Sequence, residues 1–232
     1  MKKQIIRHRV ERTKNKHSRA VYLDDTIVIR LARGLSENEA EEHVSDLLER
    51  MMKQVADERE KILINPFGRL LDSGESSTIT LASGQKFCIT LRPGKKTSIR
   101  RTARGYSVVI GPNMRRKGLH RLLWKTIANQ ECSRIEEIVN KINAETFGVH
   151  ISNVKLQFAS SQWGSCSPNG VIMLNAALLF VKPEVLRYVI IHELAHRKRA
   201  DHSPQYWSWV EWAMPKYKKA REALYEYRLP TL

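Results

Sequence analysis

The sequence predicts an α+β fold in which a β-rich N-terminal part is followed by a mostly helical C-terminal part. Before Pro112, strand-like segments alternate with Ser-Gly, Pro-Gly and Arg-Gly turns, whereas helical spacing dominates after it. The 232 residues are enough for one large domain or two small ones. We therefore assign residues 1–112 to a β-rich module with one long helix, and residues 113–232 to a second domain.

The first segments predict a hairpin, a helix and a group of strands. Residues 20–32, AVYLDDTIVIRLA, alternate like two strands that turn at Asp24 and Asp25. Ser36 and Glu39 have the spacing of a capping box and open a long helix. After a breaker region, NPFGRLLDSGESS, four strand candidates follow: STITLA, KFCITL, KTSIRR and YSVVIG.

The C-terminal part carries helices around two strands. Residues 115–148 have helical spacing, as one helix or two, with Gly148 just past the end. The segments VKLQFAS and GVIMLN predict two strands joined across SQWGSCSPN. Pro183 suits the first position of a further helix, EVLRYVIIHELAHRKR, whose apolar residues recur at helical spacing.

Composition limits the classes of function. The apolar runs are shorter than the roughly 18 residues needed to span a bilayer, and the N-terminus lacks the apolar core of a signal peptide. We therefore expect a cytoplasmic protein without a membrane partner. The net charge of +16, spread over several basic clusters, makes nucleic acid a candidate partner. Neither a disulfide framework nor a cysteine-built zinc site is expected from three widely spaced cysteines, Cys88, Cys132 and Cys166.

The segment His192-Glu-Leu-Ala-His196 fits the pattern H-E-x-x-H, which predicts a zinc site on a helix. Residues four apart share a helix face, so both imidazoles can bind one ion. Glu193 lies about 100° around the helix from His192, where a general base is needed. A polar pair within the apolar stretch VIIHELA needs a partner, which a metal supplies. The alternative is a pair of surface histidines on an amphipathic helix.

The third ligand depends on where this helix ends. If the helix continued, His202 would lie about 9 Å beyond His196 along the axis, too far to share an ion. A Ser-Pro pair directly after His202 predicts the start of another helix, so His202 falls in a turn and can point back. The spacing equals that of the metzincin motif, but Arg199 replaces its turn glycine. Glu211 and Glu222 are the competing ligands.

Two ordered motifs resemble those of the YgjP-like zinc metallopeptidases, relatives of the SprT and Spartan proteases. The first is W-G-S-C-S at residues 163–167, followed by GVIMLN; the second is H-E-L-A-H, followed by H-S-x-x-[FY]-W. The resemblance implies a zincin-like metallopeptidase domain, with the active-site helix beside a small antiparallel sheet. It also implies Glu193 as catalytic base and three ligands to one zinc ion per chain: His192, His196 and His202.

Neighbouring residues have structural as well as functional interpretations. Cys166 is expected to pack beside the active-site helix rather than act as a nucleophile. Tyr206 and Trp207 are expected to anchor the next helix, with an oxyanion donor as the alternative for Tyr206. Asp201 can orient a ligand histidine or cap the turn. Gln162 stands where the family commonly has a basic residue, so the activity or preference could differ.

The leading hypothesis is hydrolysis of peptide bonds in a polypeptide substrate by a zinc-activated water. Two alternatives stay open. A protease acting on DNA-bound or crosslinked proteins, as in the related Spartan proteases, is motivated by the charge of +16. A zinc-stabilised binding protein without turnover would not need Glu193, and its intact presence argues against that alternative.

Overall fold

The computed structural model describes residues 7–23 and 26–230, and the chain divides into two compact units, residues 1–62 and 63–232. In the first unit a long helix packs on a three-stranded sheet of order β1-β3-β2. Its elements are β1 (Arg7–Arg12), β2 (Arg19–Leu23), β3 (Thr26–Leu31) and α1 (Glu37–Glu60).

The hairpin and the capping box of this unit are confirmed. Strands β2 and β3 pair antiparallel, although the turn expected at Asp24 and Asp25 lies outside the described residues. At the start of α1, the Ser36 hydroxyl accepts from the Glu39 amide at 3.4 Å, and the Glu39 carboxylate accepts from the Ser36 amide at 2.8 Å. Strand β1 was not predicted, because its sequence RHRVER is largely exposed and lacks the apolar alternation of a half-buried strand.

From residue 62 onward, the described residues form a larger sheet of four strands, a smaller sheet of three strands, a two-stranded sheet, five α-helices and one 3₁₀ helix. From residue 62 onward, the elements are β4 (Ile62–Leu63), α2 (Gly68–Ser73), β5 (Ser76–Thr80), β6 (Lys86–Pro93), β7 (Ser98–Thr102), β8 (Gly105–Ile110), α3 (Arg116–Glu145), β9 (Asn153–Gln157), β10 (Gly164–Cys166), β11 (Val171–Asn175), a 3₁₀ helix (Ala176–Phe180), α4 (Pro183–Ala195), α5 (Pro204–Ala213), α6 (Tyr217–Tyr225) and β12 (Tyr227–Arg228). The short helix α2 lies where the sequence predicted only a breaker region.

The larger sheet has the order β5-β6-β8-β7, with β6 and β8 parallel and the outer pairs antiparallel. Its buried residues, such as Ile89 and Val108, belong to the same hydrophobic core as Trp124 and Ile127 of α3. The division between compact units falls after residue 62, whereas the domain boundary at residue 112 stays a prediction.

The smaller sheet and α3 frame the region that contains the H-E-x-x-H motif. Its order is β10-β11-β9, with β10 antiparallel and β9 parallel to the central β11, so the sheet is mixed and not antiparallel as expected. Helix α3 is a single helix of 30 residues that packs on β9. The predicted α+β fold class is confirmed. Among residues 7–23 and 26–230, no helix has both the length and the apolar character that a membrane span needs.

Asn175, at the end of β11, fixes the loop that leads into β10. The residue is fully buried, and its side-chain amide donates to the carbonyls of Ala159 and Gln162, both at 2.7 Å. Its side-chain oxygen accepts from the Ala177 amide at 3.0 Å. The loop before Gly164 is therefore held by the end of the neighbouring strand.

Candidate active site

Helix α4 brings the first two histidines and the glutamate to one place. It starts with Pro183 at its first turn and runs through the core, because its residues are apolar on most sides. The helix ends at Ala195, so His192 and Glu193 lie in its last turn and His196 is the first residue beyond it. The rings of His192 and His196 lie 5.1 Å apart, centroid to centroid.

His202 points back towards this pair, because the chain turns between α4 and α5. The amides of Arg197 and Lys198 bond to carbonyls of the last helical turn, and α5 begins one residue after Ser203, its N-cap residue. The Ser203 side chain itself makes no capping bond. The Nε2 atoms of His202 and His192 are 3.3 Å apart. Within the described part of the chain, one potential metal-ligating cluster is found, and it consists of His192, His196 and His202.

This cluster fits a tetrahedral zinc site. One nitrogen of each imidazole can be chosen so that all three lie within 4.8 Å of one another. Two nitrogen ligands at ~2.0–2.1 Å from a tetrahedral ion stand about 3.3–3.4 Å apart, which matches the distance between His192 Nε2 and His202 Nε2. His196 Nδ1 lies 3.1 Å from the Ala200 carbonyl, which can only accept, so Nδ1 carries the proton and Nε2 stays free to bind a metal.

Burial tunes the charges of the site. It lowers the pKa of His192 to about 4, with the charges of His196 and His202 acting in the same direction. Burial also lowers the pKa of His196, so both imidazoles are neutral, the form that binds metal. Burial raises the pKa of Glu193 to about 8. Burial alone therefore favours the neutral carboxyl, and a cation held by the neighbouring histidines would favour the charged form that a base needs.

Gly164 provides the space for the Glu193 carboxylate. A Cβ atom built on Gly164 would lie 2.6 Å from Glu193 Oε1 and 2.9 Å from its Cγ, closer than such atoms approach in proteins. The backbone of Gly164 is not in the left-handed region, so this requirement comes from the glutamate and not from the turn. The glycine of W-G-S-C thus lies directly against Glu193, a contact that was not predicted from the sequence.

The family model of the YgjP-like metallopeptidase domain matches residues 16–227. The chain belongs to the YgjP-like metallopeptidase family. It is therefore a metallopeptidase, a hydrolase of peptide bonds.

Two solved structures show similarity to this YgjP-like chain. One is the metallopeptidase zymogen of Pyrococcus abyssi abylysin, 27% identical over 38% of this chain and 87% of that chain, with a TM-score of 0.34. The other is the metallopeptidase zymogen of Methanocaldococcus jannaschii jannalysin, 21% identical over 39% of this chain and 92% of that chain, with a TM-score of 0.35. No curated protein matches significantly.

Tyr206 packs against all three histidines of the YgjP-like site. It is fully buried, and its ring centroid lies 5.4 Å from that of His192 and 4.8 Å from those of His196 and His202. Its hydroxyl donates to the His192 carbonyl at 2.9 Å, and burial raises the pKa of Tyr206. The hydroxyl therefore bonds to the main chain of α4, as expected for an anchor.

Trp207 stacks on the ring of His202. Their rings lie 5.9 Å apart and nearly parallel, and Trp207 stacks in the same way on Tyr217 at 5.5 Å. The guanidinium of Arg221 lies 5.2 Å from the centre of the Trp207 ring. Tyr217 and Arg221 were not predicted to contribute to the site; their spacing of four residues on α6 was the available signal, since it places both on one face.

Other residues near the site have structural contacts. Arg197 donates to the Pro168 carbonyl at 2.7 Å and so ties the turn between β10 and β11 to the end of α4. Asp201 accepts from the Ser203 amide at 3.2 Å and from Arg199 at 3.0 Å, hydrogen bonds that lower its pKa to about 2. Asp201 therefore caps the turn. Burial raises the pKa of the Cys166 thiol, which favours the unreactive protonated form.

Proposed function

We propose that this YgjP-like metallopeptidase depends on zinc, with one ion per chain held by His192, His196 and His202, and with Glu193 as general base. The convergence of three imidazoles beside a buried carboxylate supports this proposal most strongly. A bound zinc ion supplies Lewis-acid chemistry, since it lowers the pKa of water to about 7 and polarises a carbonyl oxygen.

Glu193 moves the proton in this proposal. Its carboxylate accepts a proton from the attacking water and delivers it to the nitrogen of the leaving amine. Gly164 leaves the carboxylate room for both steps, because no side chain separates it from β10. Tyr206 holds the helix beneath the histidines through the His192 carbonyl, so the base and the ligands keep their relative positions.

The polypeptide substrate is proposed to lie along β10. This strand is at one edge of its sheet, and Gly164 within it lies against Glu193. An extended peptide can add to such an edge through main-chain hydrogen bonds, which would bring its scissile bond to the carboxylate.

Metal analysis and a Glu193→Gln variant test the proposal together. We expect about one zinc per chain in both proteins, and loss of casein cleavage in the variant alone, by about 10²–10⁴-fold. Normal cleavage by Glu193→Gln would disprove the role of the base, and absence of zinc from the active protein would disprove the cofactor. A protein that loses its fold when zinc is removed would favour a structural ion instead.

Two further expectations stay predictions. The net charge of +16 favours a nucleic-acid partner, and cleavage of DNA-bound or crosslinked proteins would follow from it. Single-stranded DNA should then stimulate cleavage and bind less tightly as salt rises; absence of binding at low salt would contradict this. The cytoplasmic location would be tested by fractionating cells.

A further inference from the structure

The smaller sheet has a second edge with a groove of its own. Edge strand β10 faces Glu193, whereas edge strand β9, on the other side of β11, borders a cavity of about 720 Å³. The opposite wall of this cavity is a stripe of α3 that includes Arg121, Lys125 and Asn129. We call the cavity the β9 groove. It contains none of the three histidines.

The groove follows the backbone edge of β9. Residues 154–157 all line it, together with Phe158–Ser161 after the strand. Side chains of a strand alternate between its two faces, so only the edge of the strand can present consecutive residues to one cavity. The Val154 carbonyl lies 4.0 Å from the Cys132 thiol of α3, so it points away from β11, and Leu156, two residues on, has the same orientation.

This edge is open. Over the residues that the structure describes, the main chain of β9 bonds only to β11 and, through the Val154 carbonyl, to the Cys132 thiol, a weak donor at 4.0 Å that an incoming amide can replace. An open edge with outward N–H and C=O groups is a template for one more strand. The α3 wall leaves space beside it, so the edge can be reached by an extended chain.

The charge of the groove is positive. Arg121, Lys125 and Lys155 are exposed, and none of them has an ion pair with any described residue. The lining contains no aspartate or glutamate. A ligand of the groove is therefore expected to carry negative charge along its length.

We propose that the β9 groove binds an extended acidic polypeptide segment, which adds to β9 as a fourth strand of the sheet. The open edge favours a polypeptide over a nucleic acid, since it offers a ladder of main-chain donors and acceptors. Of the two aromatic residues in the lining, Trp124 is fully buried and Phe158 is half-buried and stacked on it at 4.7 Å, so no ring stands free for bases. A second copy of this chain paired through the same edge is disfavoured, because two grooves that carry only positive side chains would repel each other.

Charge reversal in the groove tests whether the acidic peptide binds there. The probe is a fluorescent peptide of about ten residues that alternates glutamate and valine, with a glutamine–valine peptide as control. It is titrated into the full-length Glu193→Gln protein with its metal retained, so that cleavage does not contribute. We expect Arg121→Glu with Lys125→Glu to weaken binding of the acidic peptide by about tenfold or more. The matched variant, Lys117→Glu with Lys141→Glu, changes the same charge on α3 outside the groove and should leave binding within about twofold.

Methylation of the peptide backbone tests the mode of binding without altering the protein. In a peptide that pairs as a strand, alternate amides bond to β9 and the others point away. N-methylation of one alternate set should therefore abolish binding, and methylation of the other set should leave it largely intact. Equal effects of both sets would contradict binding as an added strand.

An equal loss of binding in both charge variants would contradict the location of the peptide in the groove. Tighter binding of an oligothymidylate that displaces the peptide would assign the groove to nucleic acid.

Discussion

Two of the three histidines of the candidate site are placed by a helix, and the third is placed by a turn. His192 and His196 are four residues apart at the end of α4, so the helical repeat alone brings them together. His202 is exposed, and its ring is held by stacking on Trp207 and by contact with Tyr206. The difference teaches that one half of the site is fixed by backbone geometry, whereas the other depends on packed side chains.

The largest expected effect comes from removing the proposed ligand that the turn supplies. His202→Ala should lower metal affinity by more than about 100-fold and abolish cleavage, because two histidines cannot complete the set of three ligands. Metal titration against a competing chelator measures this. Glu211→Gln and Glu222→Gln, which change the two competing ligands, should leave affinity unchanged. Full metal affinity in His202→Ala would show that the histidine in the turn does not bind the metal.

The next effect separates the base from the ligands. In Gly164→Ala the new methyl group pushes the Glu193 carboxylate aside, and a misplacement of about 1 Å can cost about 10²-fold in rate. We expect kcat to fall by that amount while metal affinity is retained. Ser165→Ala, at the next residue of β10, should keep normal kcat. Unchanged kcat in Gly164→Ala would show that the carboxylate tolerates displacement.

A smaller effect on metal affinity is expected from the aromatic ring that stacks on His202. Trp207→Ala removes the ring that stacks on His202 and should weaken metal binding by about tenfold, while Trp207→Phe restores most of it. The control is Trp212→Ala, since Trp212 is 59% exposed and has no ring contact with the three histidines. Equal affinities in Trp207→Ala and Trp212→Ala would mean that the turn backbone alone positions His202.

The smallest effect is expected at Cys166. Burial raises the pKa of its thiol, so the protonated form dominates at neutral pH and a nucleophilic role is disfavoured. Cys166→Ser should keep kcat within about threefold in the casein assay. A loss comparable with that of Glu193→Gln would assign the cysteine to the chemistry after all.

The sequence was most informative where local spacing decides the structure. The capping box of Ser36 and Glu39, the proline at the start of α4 and the Ser-Pro start of α5 all act within one helical turn, and the structure contains each of them. The break before His202 could therefore be predicted from the residues just after it.

Features that depend on distant residues were not predictable. The parallel pairing of β6 with β8 and of β9 with β11 joins segments separated in the chain, and no local pattern encodes it. The contact between Gly164 and Glu193 crosses from β10 to α4. Strand β10 is only three residues long, too short to show a period. Its residues were therefore predicted only as part of the segment that joins two strands.

A single amide couples the two margins of the smaller sheet. Asn175 uses both of its donor hydrogens and its oxygen, so its hydrogen-bonding capacity is nearly exhausted by Ala159, Gln162 and Ala177. Aspartate has the same shape but would set a negative charge against two carbonyl oxygens. The segment that leaves β9 and the segment that enters β10 are thus hydrogen-bonded to the same side chain. Any displacement of one margin would reach the other through this residue, although neither margin contacts the other directly through the sheet ladder.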